Sequence, residues 1–358
     1  MQEISRKRLD LSLVKPTLEL TEQLGIKTIT SYITGYPEER EADQEETLDQ
    51  VGWNHCRREG LNDSQLHLLT PEPGTKLIAD YGSRLMLDAH VSGFNFPRIH
   101  PEDDTLLEQA PQIFANHYHF PTELPRRRLI FLTSAWMVLH EVGRTTLHYL
   151  LRAFEGRLSR FLNDAYLWHS ETEPEEAVAS VEIIARFMAA RFGKGSHLAS
   201  LLRYVEAIHK VQKAGPVRDI MDGPDLVSSR DAILGLSASV VIVKAMHDCP
   251  ALLKRIAAHP RESLIKEELT GPVANYLLVG CSQSKSSRNS VDMYEISSET
   301  SGLLETFKEP TSYWRYCFGL SEREGLKMPA WEDIQRLLRM GILEVKTRSD
   351  FEELAACA

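Results

Sequence analysis

Two short turns carry the residues best suited to bind a small ligand. Gly35 and Pro37 follow an apolar run rich in β-branched residues, and the segment TPEPGT begins at Thr70, at the end of a second apolar run. A glycine lets a ligand approach the backbone without a Cβ in the way, and the Thr70 hydroxyl can donate or accept a hydrogen bond. The alternative is that these residues only form tight turns.

The thiols and imidazoles show no spacing that is typical of a cluster or metal site. The five cysteines are scattered along the chain: Cys56, Cys249, Cys281, Cys317 and Cys357. An iron–sulfur cluster needs several thiolates, and no two of these cysteines form a CxxC motif. Each is therefore expected to be a small buried hydrophobe. Apart from His117 and His119 the histidines stand singly, so we expect no metal site. The arginine run at residues 126–128 is expected to be a solvated face.

The elements around the two turns predict a parallel βαβ unit. Residues 26–33 are short and β-branched, which is typical of a strand. Residues 43–51 restart a helix whose acidic first turns suit the positive end of the helix dipole. Residues 66–70 form the next predicted strand, and residues 76–88 the following helix. The carboxyl ends of these parallel strands would carry Ile33, Thr34, Gly35, Leu69 and Thr70, and ligands of parallel α/β proteins bind at such ends.

The two turns resemble the second half of a radical S-adenosylmethionine (SAM) barrel. Ser31, Ile33, Gly35 and Glu38 fall on the GxIxGxxE pattern that contacts the adenine end of SAM in that family, with serine where glycine is usual. The segment GYPEE is similar to the GFPGE turn of the cobalamin-linked and methylthio-transferring members, with Glu38 in place of the second glycine. TPEPGT is similar to the PxPGT ending of the family's next strand. The resemblance covers residues 10–95.

The resemblance implies a fold class, cofactors and site residues. The fold would be α/β at the N-terminus, a partial (βα) barrel. The implied cofactors are SAM, a 4Fe–4S cluster that cleaves SAM reductively, and cobalamin, which often serves methyl transfer. The CxxxCxxC motif that holds the cluster and the ligands of cobalamin are not in this sequence, and only two or three of the eight βα units of a full barrel match. No catalytic residue is assigned. The residues implied to bind the cofactor are Ile33, Thr34, Gly35, Glu38, Thr70 and Gly74.

Composition and charge narrow the classes of protein that fit. Hydrophobic residues make up 42% of the chain and charged residues 26%, as in ordinary globular proteins. The net charge of −10 argues against a nucleic-acid binder, because phosphate contacts need a basic surface. No apolar run approaches the roughly 20 residues of a membrane-spanning helix, and the N-terminus has no apolar core typical of a secretory signal. We therefore expect a cytoplasmic protein with neither nucleic-acid nor membrane partners.

Three domains are predicted. Residues 1–95 would hold the partial barrel, residues 96–270 a mainly helical domain, and residues 271–358 a small winged-helix-like α+β module. The helical domain would contain helices at residues 129–143, 144–163, 174–191, 198–211 and 228–246. Residues 290–346 resemble the PqqD-like module that binds the leader segment of a precursor peptide in peptide-modifying radical SAM systems. A DNA-binding winged helix has a similar pattern, but the module is acidic, which disfavours DNA. A purely structural cap is the remaining alternative.

Two functions from different classes follow from these observations. In the first, the chain is the C-terminal portion of a radical SAM-type protein from a peptide or natural-product modification pathway. Its radical-based methyl transfer, or a related reaction, would need a separate cluster-binding half, and the chain alone would be inactive. In the second, the chain is a non-catalytic protein that binds a precursor peptide or a partner polypeptide.

Overall fold

The computed structural model describes residues 9–58, 60–88, 101–173, 175, 177–193, 196–217, 233–245, 247–258, 274–281, 290–312 and 331–345. The chain divides into two units. The first comprises Met1–Gly193 and Leu253–Ile265, and the second comprises Lys194–Leu252 and Lys266–Ala358. The three-domain division at residues 1–95, 96–270 and 271–358 stays a prediction.

The first unit opens with a parallel βαβ unit. Its first elements are helix α1 (Val14–Gln23), strand β1 (Thr28–Thr34), helix α2 (Glu41–His55) and strand β2 (Asn62–Leu68). β1 and β2 are parallel, in a register that runs from Thr28 opposite Asn62 to Thr34 opposite Leu68. Helix α2 packs on one face of this pair, where Asn54 Nδ2 donates to Ser64 Oγ at 2.9 Å. The predicted order of strand, helix and parallel strand is confirmed.

The rest of the first unit is mainly helical. Its elements are α3 (Lys76–Tyr81), β3 (Met86–Leu87), α4 (Pro101–Gln109), β4 (Tyr118–His119), α5 (Arg126–Glu141), α6 (Arg144–Leu151), α7 (Leu158–Thr172) and α8 (Val181–Phe192). A stack of aromatic rings lies in the core, in which Phe161 packs against Phe154 and Phe187 with ring centroids 4.6 and 6.0 Å apart. These rings are almost fully buried, so they bind the helices together mainly through the removal of apolar surface from water.

The single helix predicted for residues 144–163 is wrong. Helix α6 ends at Leu151, a short 3-10 turn follows to Phe154, and α7 begins at Leu158. Glu155 and Gly156 both have positive φ, at 58° and 75°, so the chain leaves the helical conformation between the two segments. The apolar spacing of Leu151, Phe154 and Leu158 fits one continuous helix, but it also fits two helices that bury their faces in the same core. The start of α8 also differs from the prediction, because Ser180 caps it through Ile183 N.

The second unit contains two small antiparallel sheets and four helices in its described residues. Its elements are α9 (His197–Ala214), β5 (Ile233–Leu236), β6 (Val240–Ala245), the start of α10 (Cys249–Ala258), β7 (Ala274–Cys281), β8 (Ser290–Ile296), α11 (Ser298–Thr306), β9 (Thr311–Ser312), α12 (Trp331–Arg339) and β10 (Leu343–Val345). One sheet has the order β6-β7-β8 and the other has the order β10-β5-β9. Helix α9 packs on β6 and β7.

The helix predicted for residues 228–246 is also wrong. The described part of this segment forms strands β5 and β6, joined by a turn in which Val240 N donates to Ser237 O at 3.0 Å. The run VVIV at residues 240–243 is β-branched, and such side chains fit a buried strand better than a helix. Either a helix or a strand at these residues would bury the apolar side chains. The segment is a strand because its backbone pairs with β7.

The sequence of the C-terminal segment predicts a helix capped by Ser297 or Ser298 and a later helix ended by Gly341. Ser297 caps α11 by accepting a hydrogen bond from Thr300 N, and Gly341, with φ at 66°, follows α12. Strands β9 and β10 both pair with β5, so the sheet of this segment is completed by residues from before residue 271. The sequence after Pro310 also predicts a short helix that carries Tyr313 and Trp314, and these two residues lie outside the described part of the chain.

Sheets in the described part of the chain have two or three strands, and none closes into a barrel. The partial (βα) barrel therefore stays a prediction, as do the helical domain and the winged-helix-like module. Among the described helices, none combines the length and the apolarity needed to cross a lipid bilayer.

Candidate functional site at the ends of two parallel strands

The two turns singled out in the sequence leave the same edge of the sheet. Thr34 lies opposite Leu68 in the register of β1 and β2, and Leu69 N donates to Thr34 O at 2.7 Å. Leu69 N is also 3.7 Å from the position that a Cβ on Gly35 would take. Ile33, Thr34 and Gly35 therefore lie beside the start of the second turn, which continues through Thr70.

Glu39 anchors the first turn. Its side chain is fully buried, and its Oε2 accepts hydrogen bonds from Gly35 N and, at 2.9 Å, from Thr34 Oγ1. Burial raises the pKa of the Glu39 carboxyl, and the hydrogen bonds from Gly35 and Thr34 oppose this without cancelling it. Burial next to the charge of Glu39 also raises the pKa of Tyr36. The carboxyl therefore connects the strand end, the turn and the start of α2.

Glu38 has a different environment from its neighbour. It is exposed, its backbone is left-handed with φ at 64°, and its Oε1 accepts a hydrogen bond from Tyr81 Oη at 3.4 Å. A left-handed backbone costs a non-glycine residue about 1–2 kcal/mol, which is a physical reason for a glycine at this position of the GFPGE turn. Sequence reasoning selected Glu38 and missed Glu39. The signal was present, because Glu39 falls on the final glutamate of that turn.

The second turn separates its two predicted residues. Thr70 is half-buried directly after the strand ends, whereas Gly74 is exposed and has φ at 74°. Gly74 precedes Thr75, whose Oγ1 accepts from Ile78 N at 3.4 Å and donates to Glu72 O at 2.8 Å. The positive φ of Gly74 thus positions Thr75 as the N-cap residue of α3.

Helix α5 covers the first turn. A Cβ added to Gly35 would lie 3.6 Å from Leu129 Cδ1 and 3.8 Å from Arg126 Nη1. The space beside Gly35 is therefore filled by side chains of the first turn of α5, which makes it a packing position in this structure.

The arginines at the start of α5 do not form the solvated face expected from the sequence. The side chains of Arg126 and Arg128 are only 16% and 13% exposed, and they pair with Asp88 and Glu41 respectively. Arg128 also donates to Asn163 Oδ1 at 3.1 Å. The guanidinium groups of Arg126 and Arg128 therefore hold α5 against neighbouring segments by charge-assisted hydrogen bonds.

The cysteines in the described residues are divided between the two units. Cys56 belongs to the first unit, whereas Cys249 and Cys281 belong to the second. Burial raises the pKa of Cys56 and of Cys249 to about 12, so both are neutral thiols at neutral pH. Cys317 and Cys357 lie outside the described residues.

Comparison of the chain with known proteins finds no matching family model. The curated proteins likewise contain no match to it.

Proposed function

We propose that the chain carries the C-terminal portion of a radical SAM-type barrel, and that a partner polypeptide supplies the cluster-binding half. Radical chemistry on a peptide or small natural product, with methyl transfer where cobalamin is bound, would belong to the assembled protein. The support is the combination of the GYPEE and TPEPGT turns with a parallel strand pair that ends at both of them. The described residues supply no ligands for the cluster.

The sheet formed by β1 and β2 has a free edge and an open face, within the described residues, that suit such a partner. Among the described residues β1 pairs only with β2, so its other edge presents unpaired backbone N–H and C=O groups. On the face away from α2, Ile29 is 59% exposed and Ser31 and Gln65 are exposed as well. In a (βα) barrel that face points into the barrel, where apolar side chains fill the interior. Leu20 and Leu24 near the same strand are 54% and 65% exposed.

The first experiment separates the chain alone from the assembled protein. The purified chain is treated with iron and sulfide under anaerobic conditions, and visible absorbance and bound iron are measured. We expect no cluster. The chain is then co-expressed with a candidate partner that carries CxxxCxxC, and cleavage of SAM to 5′-deoxyadenosine is measured by chromatography. A stable cluster in the chain alone would overturn the proposal.

A pair of substitutions tests the open face. Ile29→Lys places a charge on it and should abolish co-purification with the partner. Ile113→Lys is the matched control, because Ile113 is exposed to a similar degree, 62% against 59%, outside the strand pair. Equal co-purification of both variants would show that the partner does not bind the face of β1.

The second candidate function is the binding of a precursor peptide without catalysis. It is favoured by β8, which pairs only with β7 among the described residues and exposes Met293 and Tyr294. An extended peptide could add to this edge as a further strand, since its backbone would satisfy the free hydrogen-bonding groups. Tight binding of a precursor peptide to the chain alone, with no SAM cleavage in the presence of the partner, would favour this candidate.

A further inference from the structure

Three side chains from separate elements meet at one point of the first unit. His55 ends α2, Asp63 lies at the start of β2, and His140 lies in the last turn of α5. Asp63 Oδ1 is 2.8 Å from His140 Nε2 and 3.5 Å from His55 Nδ1, and one ligand atom of each residue lies within 4.8 Å of the other two. The cluster is independent of the strand ends discussed above, because it lies at the opposite end of β2.

His55 is the residue that makes the cluster unusual. It is only 3% exposed, and neither of its ring nitrogens makes a hydrogen bond within the described residues. A buried polar group without a good hydrogen bond costs about 1–3 kcal/mol, so the position of this imidazole calls for a physical reason. Its Nδ1 faces the carboxylate of Asp63 at a distance longer than a good hydrogen bond.

We propose that His55, Asp63 and His140 form a binding site for a divalent transition-metal ion of the zinc class. Two imidazoles and one carboxylate are a ligand set that such ions take, with a further position left for water. Ligand atoms of a tetrahedral zinc ion lie about 3.3 Å apart, as follows from bond lengths of about 2.0–2.1 Å. The distances from Asp63 Oδ1 to His140 Nε2 and to His55 Nδ1, 2.8 and 3.5 Å, lie on either side of this value. The ion would supply the partner that the ring of His55 lacks.

The carboxylate of Asp63 is the one acidic group of the cluster, and a cationic side chain lies nearby. Arg144 is the nearby cationic side chain, and its guanidinium donates to the backbone oxygens of Arg58 and Asn62.

The ring of Trp136 orders the two imidazoles. It contacts the edge of His55 at a centroid distance of 5.1 Å and that of His140 at 5.8 Å. The two imidazole centroids are 4.7 Å apart. Since Trp136 is buried in the core, these contacts restrict both rings before any ion binds, which reduces the entropy that binding must overcome.

The test uses Co²⁺ and Zn²⁺ as probes on the full chain after treatment with a chelator. Co²⁺ in a site with two imidazoles and a carboxylate gives visible d–d absorbance, and one equivalent of Zn²⁺ should displace it. His140→Gln and Asp63→Asn each remove a ligand and keep hydrogen-bonding capacity. Each should weaken Zn²⁺ binding by more than about 100-fold, since even groups that only orient a ligand contribute 10–100-fold. Circular dichroism checks that both variants are folded.

His67→Ala is the matched control, because His67 lies on the same strand as Asp63 and outside the cluster. It should bind Zn²⁺ like the unchanged chain. The proposal is overturned if the chain shows no stoichiometric binding of either ion. It is also overturned if His67→Ala weakens binding as much as His140→Gln, since the ion would then bind to scattered surface histidines. The result does not depend on SAM or a cluster, so it separates this site from the proposed function.

Discussion

At the scale of single residues, two adjacent glutamates have opposite roles. Glu39 is fully buried and accepts from the donors of Thr34 and Gly35, whereas Glu38 is exposed with a left-handed backbone. The difference follows from the backbone. The positive φ of Glu38 directs its side chain to solvent and directs the side chain of Glu39 into the protein. Each role leads to a separate prediction.

Replacement of Glu39 should destabilise the first unit. Glu39→Ala leaves two buried donors without an acceptor, and we expect a loss of about 2–4 kcal/mol in the free energy of unfolding. Glu39→Gln retains an acceptor oxygen and should cost less. Urea unfolding of the three proteins measures both effects. If the alanine and glutamine variants were equally stable, the hydrogen bonds of the carboxyl would not hold the turn.

The same carboxyl predicts a pH dependence. Its pKa in the folded protein is raised above the unfolded value of 4.5, so between the two values the folded state binds more protons. The stabilisation from this group is complete below the unfolded pKa and is lost as the pH rises through the folded pKa. The stability of the unchanged chain relative to Glu39→Gln should therefore fall as the pH rises above the unfolded value and through the raised pKa of the folded state. A difference that is constant or rises with pH would contradict the raised pKa.

Relief of backbone strain at Glu38 should stabilise the chain. Glu38→Gly removes the cost of a side chain in the left-handed region and adds the entropy cost of glycine, for a net gain of up to about 1 kcal/mol. Glu46→Gly is the control, because Glu46 is exposed inside α2 and should lose about 1 kcal/mol there. Thermal unfolding distinguishes the two variants by the sign of the shift. A loss of stability on Glu38→Gly would show that its contact with Tyr81 outweighs the strain.

At the scale of elements, the closest approach of two helices depends on one glycine. A Cβ on Gly52 in α2 would lie 2.8 Å from the Cβ of Leu158 in α7, closer than two such atoms approach in proteins. Helices α2 and α7 can therefore pack only because this position lacks a side chain. The ion pair of Arg157 with Asp49 and the bond from Ser159 N to Asp49 Oδ1 at 2.9 Å join the same helices.

An alanine at Gly52 should therefore destabilise the chain, although alanine is the better helix former. We expect Gly52→Ala to cost about 1–2 kcal/mol, because overpacking exceeds the gain in helix propensity. Gly302→Ala in α11 is the matched control, since no atom lies within 4 Å of its added Cβ. It should stabilise by about 0.5–1 kcal/mol. Urea unfolding measures both, and shifts of the same sign would contradict the packing argument.

At the scale of the whole molecule, each of the two units has its own core. The first is built on the aromatic stack around Phe161, and the second on a cluster that includes Leu304, Phe307 and Ile334. A chain with two separate cores is expected to depart from a single two-state transition.

Calorimetry should therefore show two thermal transitions that respond to different substitutions. Ile334→Ala removes a fully buried side chain from the second unit and should lower one transition, with a loss of about 2–5 kcal/mol. Leu132→Ala, equally buried in α5, should lower the other. A single transition that both variants lower to the same extent would show that the units unfold together.

The sequence by itself determined the local structure. Local structure of this kind includes the strand–helix–strand order, a serine cap at the start of α11 and the left-handed Gly341 after α12. These features depend on residues a few positions apart, where propensity and hydrogen-bonding capacity decide. The tertiary structure decided the rest, because it depends on which segments pack against each other. Examples are the strand at residues 240–243, the cover of Gly35 by Leu129, and the meeting of His55, Asp63 and His140. Contacts between residues so far apart in the chain follow from burial of shared apolar surface, and no local pattern encodes their partners.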